Sequence, residues 1–246
     1  MKLHQVIKQL DALSNPEKIE IKEKKFGIKA NNSLGVYHKD LKALAKEIGP
    51  NNKLALELYG TGIYEARILS SKIYDPECIS EKQMDEWVAD FENWEICDSF
   101  CMGFFAKSKH ALSKASEWSE ADSEFVKRAG FVIMAAYGFV DKKSGNEVFE
   151  KFFQPIEREA DDDRIYVKKA INWALRNIGK RNVDLQRRAM EVANRMLMAD
   201  SKSAKWIAKN ALSELKRSDV NILDYPRSLY RPMANTYEPF SIKKPK

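Results

Sequence analysis

The sequence predicts an all-α protein, and its composition and hydrophobic periodicity both point to this fold class. The chain of 246 residues contains only 10 Gly and 8 Pro, whereas proteins average roughly 7% Gly and about 5% Pro. Few turn-forming residues, together with 32% charged and 44% hydrophobic residues, favour helices over a β-sandwich or β-barrel. Apolar residues recur at helical spacing along most of the chain, and strand-like alternation is nearly absent.

The individual helices follow from apolar stripes and capping signals, taken in chain order. A stripe over residues 3–13 predicts the first helix, and Ser14-Asn15-Pro16-Glu17 predicts a stop followed by a restart. A stripe from Leu41 to Ile48 ends at Gly49-Pro50. Further stripes predict helices over residues 53–59, 64–74, 81–91, 94–106, 122–139, 146–158, 163–178, 183–198 and 202–216. Short polar turns join these elements, which number about a dozen.

A sequence repeat suggests how the helices are arranged. Phe125-Val126-Lys127-Arg128-Ala129 recurs 41 residues later as Tyr166-Val167-Lys168-Lys169-Ala170, and Trp206-Ile207-Ala208-Lys209 is a fainter copy 40 residues further on. Each copy is expected to open an amphipathic helix. A period near 40 with two helices per unit is typical of HEAT-like repeats. We therefore predict a right-handed solenoid of antiparallel helix pairs; the alternative is a chance likeness among short amphipathic helices.

The charge distribution indicates a polyanionic partner. The formal net charge is only +6, but residues 164–246 hold 19 Lys and Arg against 7 Asp and Glu, which leaves 23 basic and 29 acidic residues in 1–163. A strongly basic last third favours nucleic acid as the partner. The repeat would align Arg128, Lys169 and Lys209 on helix N-terminal turns, where backbone N–H groups also favour anions. We therefore expect a concave basic surface; a solvated convex face is the alternative.

Several other classes of site and location are excluded or disfavoured by the sequence. Cys97 and Cys101 lie one helical turn apart with no His at metal-ligand spacing, so we expect core thiols. Gly60-Thr61-Gly62 is too short for a dinucleotide fingerprint, and there is no P-loop and no H-E-x-x-H. No metal and no cofactor are expected. The polar N-terminus and the lack of an 18-residue apolar run predict a cytoplasmic chain with no membrane segment.

Two helices combine aromatic and charged side chains on one face. Trp94 and Asp98 are four residues apart, and Lys169, Trp173 and Arg176 are spaced i, i+4, i+7. Charges are costly in a core, so these faces predict the walls of a cleft. The alternatives are a large core anchor for each Trp and a salt-bridge or helix–helix hydrogen-bond role for Asp98.

These segments resemble the AlkD-type DNA alkylation repair glycosylases. The resemblance is carried by Trp94-x3-Asp98, by Val126-Lys127-Arg128-Ala129, by the segment from Val167 to Arg176, and by Leu34-Gly35-Val36, and it spans roughly residues 5–217. It implies a solenoid of HEAT-like repeats with a concave basic DNA-binding surface. It further implies excision of alkylated bases such as 3-methyladenine and 7-methylguanine from duplex DNA, as a step of base excision repair.

The resemblance also implies roles for individual residues. Trp94, Asp98 and Trp173 match the catalytic cleft of the family, and Arg128 matches an arginine beside that cleft. Members of the family keep the damaged base stacked. This departs from the usual extrusion of the base. The residues expected to contact DNA are Arg128, Lys127, Lys168, Lys169, Arg176 and Lys209. The chain departs from the family pattern at Asn93, where an aromatic residue is familiar, and over residues 221–246, a Tyr/Pro/Lys-rich tail following a single domain of residues 1–220.

The chemistry of alkylated purines is consistent with this set of side chains. Alkylation at N3 or N7 makes the base cationic, so it leaves without the general acid that ordinary glycoside hydrolysis needs. One ionised Asp can stabilise the oxocarbenium-like sugar and position a water, and each indole face adds about 0.5–2 kcal/mol of cation–π attraction. We expect a monomer acting on alkylated duplex DNA. The alternative is a non-catalytic HEAT-repeat module that binds DNA, RNA or a protein.

Overall fold

A computed structural model describes residues 1–230, and every regular element in that range is helical. Two short 3-10 turns, Pro76–Cys78 and Phe105–Lys107, lie between α-helices. The α-helices are α1 (Leu3–Ala12), α2 (Pro16–Phe26), α3 (His38–Ile48), α4 (Asn52–Gly60), α5 (Tyr64–Ile73), α6 (Glu81–Ala89), α7 (Trp94–Gly103), α8 (Ala111–Ser119), α9 (Glu124–Val140), α10 (Asn146–Glu150), α11 (Phe153–Arg158), α12 (Ile165–Gly179), α13 (Val183–Met198), α14 (Lys202–Leu215) and α15 (Arg227–Tyr230).

The helices stack in the manner of a repeat solenoid. Helices α5, α7, α9, α12 and α14 form a continuous series in which each contacts the next; we call this series the helix row. Helix α4 packs on α5, α8 on α9, α11 on α12, and α13 on α14. The predicted all-α solenoid of HEAT-like helix pairs is confirmed. The concave basic surface stays a prediction.

Helix α9 lies at the centre of this stack and is covered on most sides. It packs against α7, α8 and α12, and its residues from Lys127 to Ala136 are all buried. Gly130 permits the close approach of α8, because a Cβ at this position would come within 2.6 Å of the Ser119 backbone nitrogen. The long apolar stretch of α9 therefore reflects its central place in the core.

Two helical predictions differ from the structure. Helix α8 was not predicted, because its Ala- and Ser-rich sequence has a weak apolar stripe and buries a lysine, Lys114. The predicted helix over residues 146–158 is divided into α10 and α11. Pro155 is the third residue of α11, and proline is tolerated only in the first turn of a helix. The helix must therefore restart shortly before Pro155.

The third copy of the repeat is out of register with the first two. Phe125 and Tyr166 are the second residues of α9 and α12, and their ring centroids lie 5.6 Å apart. Helix α14, however, begins at Lys202, so Trp206 is its fifth residue and does not open the helix. The expected alignment of Lys209 with Arg128 and Lys169 is therefore wrong: Lys209 lies about one turn further along its helix.

The first ten residues of the predicted tail contact the solenoid. The Leu223 backbone N–H donates to the Lys180 carbonyl at 2.8 Å, and the Tyr225 N–H donates to the Arg181 carbonyl at 2.9 Å. Residues 231–246 of that tail lie outside the described part of the chain. Within residues 1–230, no helix combines the length and apolar character needed to cross a membrane. Cys97 and Cys101 are buried thiols, as predicted.

Candidate active site

A bidentate ion pair between α7 and α9 is the centre of the candidate site. Arg128 Nε donates to Asp98 Oδ1 at 2.9 Å, and Arg128 Nη2 donates to Asp98 Oδ2 at 2.8 Å. The third guanidinium nitrogen, Nη1, donates to the Tyr166 carbonyl at 2.6 Å. One arginine therefore links three neighbouring helices of the row and fixes the plane of the carboxylate.

The pair is only partly accessible to solvent, and the exposed part belongs to the acid. The Asp98 side chain is 17% exposed and the Arg128 side chain 6%. Burial raises the pKa of the Asp98 carboxyl, and the guanidinium opposes that rise. Burial also acts to lower the pKa of Arg128, but the charge and hydrogen bonds of Asp98 outweigh burial and raise it. The two charge-assisted hydrogen bonds from the guanidinium favour the ionised form of the carboxylate.

Trp94 begins α7 one turn before Asp98 and is anchored to the N-terminal part of the chain. Its indole N–H donates to the Phe26 carbonyl at 3.0 Å. Asn93 is buried and caps this helix: its Oδ1 accepts from the backbone N–H groups of Glu95 (2.9 Å) and Ile96 (3.2 Å). In this chain the position before Trp94 thus sets the start of α7.

A buried carboxylate next to Trp94 was not recognised from the sequence. Glu95 accepts hydrogen bonds from Lys22 Nζ at 2.8 Å and Tyr64 OH at 3.0 Å, and lies 3.1 Å from His38 Nε2. Burial acts to raise the pKa of Glu95, but His38 and Lys22 together lower it to about 2. The only signal in the sequence was an acidic residue followed by the apolar Ile96. The Glu95 cluster ties the first turn of α7 to α2, α3 and α5.

The lowered pKa of Glu95 predicts how stability depends on pH. Because the folded-state pKa lies below the ordinary value of 4.5, ionised Glu95 stabilises the fold above that value, and this contribution is lost as the pH falls toward about 2. We expect Glu95→Gln to lower the free energy of unfolding by at most about 3 kcal/mol at neutral pH. In urea titrations, the difference in free energy of unfolding between Glu95→Gln and the wild type should become smaller below about pH 5. A difference that stays constant or grows on acidification contradicts this role of Glu95.

Trp173 is half-buried on α12 and has an unused hydrogen-bond donor. Its indole N–H has no partner within residues 1–230. Lys169, one turn before it, is exposed, whereas Arg176 is ion-paired to Glu214. Lys180 also binds Glu214, at 2.6 Å. The predicted stripe therefore lies at the boundary between core and solvent, with Trp173 at its middle.

The other predicted DNA-contacting residues differ in how far their charges are already neutralised. Lys127 is buried and lies 2.6 Å from Glu159 and 3.6 Å from Asp162. The Lys168 ammonium lies 5.5 Å from the ring centroid of Trp206. Phosphate contact stays a prediction for all six residues. Lys168, Lys169 and Lys209 have no carboxylate partner in the described chain, and Lys169 and Lys209 are also exposed.

The described part of the chain contains no group of three or more His, Cys, Asp or Glu side chains that could hold a metal ion. The carboxylate of Asp98 has an arginine as its partner. The centre of the candidate site therefore consists of one carboxylate and one guanidinium, with Trp94 one turn before Asp98 on α7 and Trp173 two helices further along the row, on α12.

The fold and the site together define a HEAT-like helical repeat protein with a charged and aromatic site on its stacked helices. The chain belongs to the DNA alkylation repair enzyme family, whose family model matches residues 6–215.

Comparisons with solved structures agree on the fold. A structure described as "a new family of proteins related to the HEAT-like repeat DNA glycosylases with affinity for branched DNA structures" is similar with a TM-score of 0.70 and 24% identity, covering 90% of this chain and 97% of that chain. The Streptococcus mutans UA159 protein smu.31 is similar with a TM-score of 0.52 and 19% identity, covering 85% and 98%. At these identities the likeness establishes the fold alone. Among curated proteins, no match to the sequence was found.

Proposed function

We propose that this protein is a DNA glycosylase that hydrolyses the N-glycosidic bond of cationic alkylated purines in duplex DNA during base excision repair. The observation that carries the proposal is the Asp98 carboxylate, which Arg128 holds in a fixed plane while part of it remains exposed. Family membership supports DNA alkylation damage as the setting. One copy of the chain supplies every residue of the site.

The proposed reaction assigns Asp98 an electrostatic role. The bond between C1′ and the purine nitrogen breaks, and its electron pair goes to the base and neutralises the positive charge there. The sugar becomes oxocarbenium-like, and a nearby carboxylate stabilises it. A water adds to C1′ and gives up its proton to solvent or to Asp98. Since Arg128 uses one lone pair of each oxygen, the remaining lone pairs serve the water and the sugar.

Trp94 and Trp173 are proposed to contact the lesion nucleotide. Trp173 fits this role because it is half-buried and its N–H has no partner within residues 1–230. We expect Trp173→Ala to lower the single-turnover rate of base release about 2-fold to 30-fold, since one indole face contributes about 0.5–2 kcal/mol of cation–π attraction to the sugar cation. Trp206→Ala, which removes an exposed indole elsewhere on the row, is the matched control and should retain the rate at saturating protein. Equal rates for the two variants contradict the assignment of Trp173.

The proposed phosphate contacts come from lysines without carboxylate partners. Lys168, Lys169 and Lys209 meet this condition, and neutralising phosphates releases counterions from DNA. Affinity for duplex DNA should therefore fall steeply with salt. Binding that barely changes with salt contradicts this part of the proposal.

A second candidate function is DNA binding without catalysis. The observation in its favour is the similar solved structure described as belonging to proteins with affinity for branched DNA. A non-catalytic protein would bind branched or duplex DNA, release no base, and be insensitive to Asp98→Asn. The glycosylase proposal requires base release that depends on Asp98.

The charge of the leaving group provides the sharpest test. Purified protein is incubated with two otherwise identical duplexes, one with 7-methylguanine and one with uracil. Because the site offers one carboxylate and no general acid, we expect release of the cationic base and none of the neutral base. Release of uracil at a comparable rate contradicts the proposed mechanism.

A further inference from the structure

An open cavity of about 570 Å³ lies between α3, α5 and α7, and neither Asp98 nor Arg128 is among the residues that line it. Three lysines line it, one from each of α3 and α5 and one from the 3-10 turn after α7: Lys42, Lys72 and Lys107. We call it the lysine cavity. It belongs to the part of the chain that is acidic overall.

The three ammonium groups are not neutralised by the protein. None of Lys42, Lys72 and Lys107 forms an ion pair within residues 1–230. One carboxylate, Asp75, also lines the cavity, and its oxygens accept hydrogen bonds from the Glu77 backbone N–H at 3.0 Å and from Cys78 Sγ at 3.5 Å. The cavity therefore carries an excess of positive charge.

Lys72 differs from the other two lysines because its side chain is half-buried. Burial lowers the pKa of its ammonium, and the nearby charge of Lys42 lowers it further. A lysine in the last turn of a helix gains from the helix dipole even when exposed, as Lys46 of α3 does. The dipole does not account for burying an ammonium beside a second lysine. An anion in the cavity would stabilise both charges.

The lysines continue beyond the cavity. Lys107 also lines a neighbouring cavity of about 580 Å³, together with Lys109, Lys142 and Lys143 and with the acids Glu77 and Asp141. A single small anion would occupy one cavity, whereas a polymer with regularly spaced phosphates can follow both. This continuity favours a nucleic-acid backbone as the ligand.

The cavity also adjoins the candidate catalytic residue. Ser99, which follows Asp98 on α7, lines the cavity wall. Adjacent residues of a helix have Cα atoms about 3.8 Å apart and point about 100° from each other around the helix axis. One helix thus presents Asp98 toward α9 and Ser99 toward the lysines.

We propose that the lysine cavity binds backbone phosphates of the DNA strand near the lesion nucleotide, about one for each of its ligands Lys42, Lys72 and Lys107. The choice of DNA as partner rests on the proposed function. The proposal assigns DNA contact to the acidic two-thirds of the chain, in addition to the basic last third.

The test compares two full-length triple variants of equal charge. Lys42→Gln/Lys72→Gln/Lys107→Gln removes the cavity lysines. Lys8→Gln/Lys53→Gln/Lys151→Gln removes three exposed, unpaired lysines that lie outside the row. Binding of a fluorescein-labelled unmodified duplex is measured by anisotropy from low to high salt. The cavity variant should show a log–log salt slope shallower by about 2 to 3 than the wild type. The control variant should match the wild type.

Two further measurements make the result decisive. Lys42→Gln/Lys107→Gln, which changes only exposed residues, should shift the slope by about 2 even if replacing Lys72 impairs folding. Equal slopes for cavity and control variants overturn the proposal. Inorganic phosphate, substituted for chloride at constant ionic strength, tests whether the cavity binds a free anion instead of DNA. If phosphate stabilises the wild type but not the cavity variant, and the salt slopes for duplex DNA are equal, the cavity binds free phosphate and the proposal is wrong.

The same variants separate this inference from the proposed glycosylase activity. If the wild type releases no base from methylated duplex but the cavity variant still has the shallower slope, the glycosylase proposal fails and the phosphate site stands. If base release occurs and the slopes are equal, the phosphate site fails alone.

Discussion

Replacing Asp98 by Asn is expected to abolish detectable release of 7-methylguanine while leaving affinity for duplex DNA nearly unchanged. The substitution keeps the size of the side chain but removes the negative charge that stabilises the sugar cation. Loss of a preorganised electrostatic group of this kind slows reactions by about 100-fold to 1,000-fold or more. Single-turnover base release and anisotropy binding, measured on the same preparation, separate the two effects.

Asp98→Asn also weakens the pair with Arg128, so a control for lost stability is needed. Asp141→Asn is suitable because it likewise removes the carboxylate partner of a buried arginine, Arg181, at 3.1 Å and outside the candidate site. Both variants should unfold at a lower temperature than the wild type, but only Asp98→Asn should lose base release. If Asp141→Asn, still folded at the assay temperature, is equally inactive, the loss in Asp98→Asn reflects stability and not catalysis.

Replacing Arg181 by Met is expected to cause the largest loss of stability, about 3–5 kcal/mol. Arg181 is fully buried just after α12, and its guanidinium lies 3.8 Å from the centroid of the Phe149 ring. It donates to the carbonyls of Gly138 (3.2 Å), Asp141 and Ser144 (2.9 Å) and to the Asp141 carboxylate. Methionine fills much of the space but removes the donors to the three carbonyls, while the Asp141 carboxylate keeps the backbone N–H groups of Lys143 and Ser144 and the Ser144 hydroxyl.

The matched control is Arg195→Met, because Arg195 also binds a carboxylate through two nitrogens, at 2.8 Å and 2.7 Å to Glu157, but is exposed. An exposed pair is worth about 0–1 kcal/mol. Denaturant titrations of both variants give the comparison. Similar losses for the two substitutions contradict the view that Arg181 organises the junction between α9, α12 and the segment from residue 221.

Helices and residues that share a helix face could be predicted from the sequence, whereas contacts that depend on tertiary packing could not. Apolar stripes and caps predicted most helices, including α13 with the bounds the structure has. Trp94 and Asp98 were placed together because residues four apart share a helix face. The resemblance places Arg128 beside the cleft, and a salt bridge is one alternative for Asp98, but the sequence does not show that these two residues pair. Arg128 lies 30 residues from Asp98, on a helix that only tertiary packing brings beside α7.

The lysine cavity and the Glu95 cluster likewise could not be predicted from the sequence, because their residues come from separate elements. Lys42, Lys72 and Lys107 have no common spacing and belong to three separate elements, so no periodicity connects them. Glu95 and Lys22 are 73 residues apart. The error in the repeat at Trp206 has a related cause, since short motifs resemble one another without fixing where a helix begins.

The most direct test of the central claim is identification of the free bases released from methylated duplex DNA by the purified wild-type protein. Duplex treated with a methylating agent is incubated with the protein, and small molecules are separated by chromatography against a sample without protein. The account predicts release of 3-methyladenine or 7-methylguanine above spontaneous loss, and loss of that release in Asp98→Asn. Duplex binding with no released base, or equal release by Asp98→Asn, contradicts it.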